Sequence, residues 1–94
     1  MALEEQLDGS LQRRVPALEP YLVSPYTAEW NDRGSLSEVW VVARHGVTVL
    51  FASFEAAVYG VGAFNLGGEI HRVVRFADIE TAAVRFLAAA RKAA

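Results

Sequence analysis

The side chains best suited to chemistry in this 94-residue chain are His45 and His71, Ser35 and Ser53, and Glu38 and Glu55. Either histidine has the type to ligate a metal or act as a base. Yet no second histidine stands at ligand spacing from either, and the chain has no cysteine, so no metal centre is expected. A serine nucleophile would need a histidine and an acid beside it, and nothing in the spacing brings Ser35 or Ser53 to such partners. Glu38 and Glu55 close the two ends of an apolar run, where carboxylates are ordinarily solvated rather than paired for acid–base work. "GVG" at 60–62 and "LGG" at 66–68 invite a phosphate-loop reading. Neither opens a helix with GxGxxG spacing or carries the lysine of GxxxxGK, so these glycines are expected to serve a tight turn, a bulge or strand curvature. No catalytic residue and no cofactor is expected.

Composition narrows the remaining classes. With 53% hydrophobic and 21% charged residues, the chain has a folded composition and the length of a single domain, residues 1–94. Without cysteine, core packing must carry the fold. The net charge of −2 is unevenly spread, six acids against three bases over residues 1–33 and five bases against two acids over 70–94. Arg85, Arg91 and Lys92 share the C-terminal helix with Glu80 on a chain of net charge −2, and neither end has the clustered bases of a nucleic-acid arm. "MALEEQLDGS" is acidic where a signal peptide would be basic, so a cytoplasmic location is expected. Between Arg44 and Glu69 the only charge is Glu55, a window long enough to span a bilayer. A carboxylate at mid-membrane costs about 2.5–3.5 kcal/mol, and the glycines and Asn65 punctuate hairpins better than a helix.

The elements that must position these residues follow from spacing. Leu3, Leu7, Leu11 and Val15 recur every four residues, with Glu4 and Glu5 at the start and Arg13 and Arg14 at the end, predicting a short amphipathic helix stopped by Pro16. "PALEPYLVSP" admits at most one helical turn before Pro20. Residues 21–28 are then extended chain leading to a turn at "NDRG". Residues 37–44 and 47–54 predict a hairpin through His45-Gly46, a register in which Trp40 faces Phe51 and Val42 faces Val49. Its other side would carry Val39, Val41, Leu50 and Ala52. Residues 58–64 and 69–76 predict a second hairpin through "NLGG". Asp78 is a candidate N-cap for a helix that aligns Ile79, Ala82, Ala83, Phe86, Leu87 and Ala90.

The predicted fold is therefore α+β: a helix, a four-stranded antiparallel sheet of two hairpins, and a C-terminal helix packed on the face bearing Val39, Val41, Leu50, Ile70 and Val74. The opposite face would gather Trp40, Phe51, Tyr59, His71 and Arg75, aromatic anchors rimmed by cationic and hydrogen-bonding groups, which is how protein-binding surfaces are composed. The run "VWVVARHGVTVLFASFEAAVYGVGAF", a Trp-bearing strand, a tight turn, an apolar strand, a glutamate and a glycine-bearing strand before a closing helix, resembles the small immunity proteins encoded beside bacterial antagonistic toxins. That resemblance implies a cytoplasmic, non-enzymatic inhibitor that occupies a cognate toxin, and it brings no binding residue with it. A homodimeric structural or regulatory module burying the same face, and a small-ligand binder or enzyme using a pocket beneath the hairpins, are the rival readings.

Overall fold

The computed structural model describes residues 15–93. The predicted helix on Leu3, Leu7, Leu11 and Val15 lies outside the described residues except for Val15, which is non-helical chain ahead of the first element. A 3-10 helix over Pro16–Tyr21 opens the described chain, with Pro16 in its first turn, where a missing N–H is harmless, and Pro20 inside it. Five strands follow: β1 (Leu22–Asp32), β2 (Ser35–His45), β3 (Thr48–Ser53), β4 (Val58–Phe64) and β5 (Ile70–Phe76), then helix α1 (Ile79–Ala93). The α+β class and the antiparallel order hold, but the sheet has five strands, not four. The extended chain ahead of "NDRG" is itself β1, and it pairs with β2 through a two-residue turn at Arg33-Gly34. Pro25 sits where that ladder is irregular, between Leu22 and Tyr26, so its lack of an N–H breaks no regular rung.

Successive antiparallel neighbours reverse direction, so the first and fifth strands of such a sheet run the same way. Here they meet, in parallel, at Trp30 and Ile70, and the sheet closes into a barrel. Closure explains why the β2–β3 run is apolar on both faces. One face of β3 points into the barrel, where Trp30, Val39, Val41, Val49, Phe51 and Ile70 form one buried cluster. The other lies beneath α1, where Leu50, Val42, Ala43 and Val61 join Leu18, Ile79, Ala82, Ala83, Phe86, Leu87 and Ala90 in a second. The predicted helix face is thus buried in full. Tyr21 adds an edge-on contact to Phe86, ring centroids 5.7 Å apart.

The predicted sheet face for α1 is wrong for Val39, Val41 and Ile70, which fill the barrel instead, and Val74 is 43% exposed. In β5 the cause is an extra residue between His71 and Val74, which face Ala63 and Val61, so Ile70 and Val74 fall on opposite faces. In β2 two local features act. Gly46, at φ +61°, takes the first central position of the β2–β3 turn, so the loop is Gly46-Val47 and His45 pairs with Thr48. Val42 is then an extra residue between the pairs Val41–Phe51 and Ala43–Leu50. A one-residue bulge sends everything on its far side to the opposite face. The α1 N-terminus is as predicted: Asp78 Oδ2 accepts from the Thr81 N–H at 2.8 Å.

Candidate functional site

The bulge at Val42 decides which predicted site residues meet. Trp40 pairs with Ala52, and Ala52 with Tyr59 on its other side. Tyr59 in turn pairs with Phe76, so Trp40, Ala52, Tyr59 and Phe76 form one row on the outside of the barrel. Phe51 belongs elsewhere: it pairs with Val41 and is fully buried in the barrel interior. The predicted juxtaposition of Trp40 with Phe51 is therefore corrected by the register, while that of Trp40 with Tyr59 stands.

At the Ala52–Tyr59 step of this row, on the side away from Trp40, the surface is hollowed between Tyr59 and Phe54. A hollow of about 290 Å³ lies there, lined by Ala52, Ser53, Phe54, Ala57, Val58, Tyr59 and Ala77. Phe54, the first residue after β3, is 49% exposed and was not among the predicted site residues. Its signal was present in the sequence as an aromatic directly after a buried strand. Trp40 and Tyr59 are both half-buried, Tyr59 packing against the cluster under α1. On the same side of β2 stands Glu38, directly opposite Glu29 of β1.

His71 and Arg75 lie away from this row. His71 pairs with Ala63, which pairs with Thr48, four residues along β3 from Ala52 and so about 13 Å distant. Arg75 sits at the barrel seam, its guanidinium 4.8 Å over the Trp30 ring and ion-paired with Asp32. It lines a groove of about 730 Å³ with Trp30, Asp32, Arg33 and Arg72.

Two of the chemical candidates, Ser53 and His45, are engaged in structural contacts, while Ser35, Glu38 and Glu55 are exposed. Ser53 is buried, and its Oγ accepts from the Ala56 N–H at 3.3 Å, closing the turn after β3. His45 is half-buried at the end of β2, edge-on to Tyr21 at 5.4 Å between centroids. Gly60 and Gly62 face the barrel interior, and a Cβ on Gly62 would lie 2.8 Å from the His71 carbonyl oxygen. The "NLGG" loop is held by Asn65, whose Oδ1 accepts from the N–H groups of Gly67 and Glu69. Among the described residues no group of three or more His, Cys, Asp or Glu could hold a metal ion, and no helix is long and apolar enough to cross a membrane. The arrangement offers packed aromatic surface and charged rims.

Comparison with family models, with curated proteins and with solved structures finds no match to this chain.

Proposed function

We propose that the chain is a non-enzymatic protein-binding domain whose partner seats on the Trp40–Ala52–Tyr59 row. The observation that carries this reading is the hollow between Phe54 and Tyr59, with Trp40 on the other side of Ala52 in the row. Half-exposed aromatics bring large apolar area at low entropic cost, and a hollow between them takes an anchoring side chain, the usual anatomy of a binding hot spot. Its most concrete form is an immunity-type inhibitor of a bacterial toxin, a form that rests on the resemblance of the β2–β4 run to that family. The expected partner is then the protein encoded beside this chain's own gene.

The test is titration calorimetry of the purified chain with that neighbouring gene's product, alongside sedimentation of the chain alone. Saturable one-to-one binding that quenches Trp40 fluorescence supports the inhibitor. A stable homodimer with no such binding gives this face to a second copy. A monomer that binds nothing rejects the reading.

A further inference from the structure

Parallel closure of the barrel is brief. β1 and β5 pair only at Trp30 and Ile70, after which β1 ends at Asp32 and the chain turns away into β2. Asn31 and Asp32 still run beside His71 and Arg72, and β5 carries an extra residue between His71 and Val74. From Val73 to Phe76, β5 has β4 on one side and no strand on the other among the described residues. An unpaired edge presents N–H and C=O groups that an incoming strand can satisfy. The 730 Å³ groove lies along this edge.

Charge decides what fits there. Arg33, Arg72 and Arg75 line the groove against the single carboxylate of Asp32, a local excess of two positive charges on a chain of net charge −2. Arg75 is engaged by Asp32 and Trp30. Neither Arg33 nor Arg72 makes an ion pair with a described residue. Both hold left-handed backbone, φ +54° and +56°, where glycine or asparagine would sit without strain. Strained arginines at two separate bends thus line one groove, and strain of this kind concentrates where a side chain is needed for binding.

We propose that this groove receives an extended acidic segment of a partner protein, which adds to β5 as a further strand and pairs its carboxylates with Arg33 and Arg72. The site is separate from the Trp40 face and stands independently of it. A second copy is a poor occupant, since pairing two β5 edges would bring six arginines against two aspartates into one seam. Single-stranded nucleic acid is poorer still: it needs aromatic faces for its bases to stack on, and Trp30 is 4% exposed.

The probe is a capped hexapeptide alternating Val and Glu, titrated into the ¹⁵N-labelled chain, with a Val/Lys peptide as control. The expected result is shifted and exchange-protected amides between Val73 and Phe76 with the Glu peptide alone. Affinity should fall about tenfold in an Arg33→Asn/Arg72→Asn double variant, through loss of two charge-assisted contacts. Asparagine takes left-handed backbone more readily than arginine, so the variant folds with a Tm at or above that of wild type. Three results would overturn the proposal: no shift along β5 at millimolar peptide, equal shifts with the Lys peptide, or full reproduction of the shifts by inorganic phosphate. The last would mark an anion site without strand addition.

Discussion

Phe51 and Gly60 are partners across β3 and β4, and the Phe51 ring lies directly over the Gly60 backbone, in the space a Cβ would need. The ring is fully buried, so it has nowhere to swing. Gly60→Ala should destabilise the domain by about 3 kcal/mol, as overpacking in a filled core does, and Gly60→Ala/Phe51→Leu should recover much of it. Urea denaturation of the three proteins measures both. An unchanged midpoint for Gly60→Ala would mean that Phe51 does not fill the barrel.

Arg33 and Gly34 form the β1–β2 turn with φ +54° and +90°, the two positive values of a type I′ turn. Asn31 Oδ1 supports it by accepting from the Gly34 N–H at 2.8 Å. Asparagine takes left-handed backbone more readily than arginine, so Arg33→Asn should raise stability by up to about 1 kcal/mol. A loss of stability would show that the Arg33 side chain makes a contact worth more than the strain.

Asp78 caps α1 through the Thr81 N–H, and its carboxyl is held below its ordinary value first by that bond and then by the Thr81 hydroxyl. Because the folded pKa is depressed, the contribution is present above the unfolded value of about 3.9 and is lost as pH falls through the folded one. Wild type should therefore melt a few degrees above Asp78→Ala at neutral pH, and the gap should close on acidification below about pH 4. A gap that widens toward acid would contradict the cap.

Removal of divalent metal should leave the fold untouched, since no suitable ligand group occurs among the described residues. Thermal melts with and without chelator should superimpose; a drop of several degrees would reveal a bound ion.

The sequence made α1 legible because two independent signals agree there, the Asp78 cap and a helical period that α1 buries in full. "NLGG" and "NDRG" were legible as turns through their Gly, Asn and Asp content. The face assignments of β2 were not. Residues 39–43 are apolar without a break, so either phase satisfies the pattern, and the bulge at Val42 leaves no mark in a run with no polar residue to misplace. Closure was hidden for another reason. Trp30 and Ile70 lie far apart in the chain, and nothing local in β1, interrupted by Pro25, announces a pairing with β5. The candidate site was legible in part for the same causes: Trp40 and Tyr59 share a face as expected, Phe51 left it with the bulge, and Arg75 went to the seam that closure created.

Substitution of Trp40 by glutamate, with Phe51→Glu as its counterpart, shows whether the Trp40 face binds a partner. Phe51→Glu buries an unpaired carboxylate in the barrel at a cost of several kcal/mol, enough to unfold a domain of ordinary stability, about 5–15 kcal/mol. Trp40→Glu places its charge on the outer face and should fold, with a Tm within a few degrees of wild type. Its affinity for the partner, or for a second copy, should fall by about 2 kcal/mol or more, roughly thirtyfold. A folded Trp40→Glu protein that binds as wild type does would contradict the assignment of function to this face.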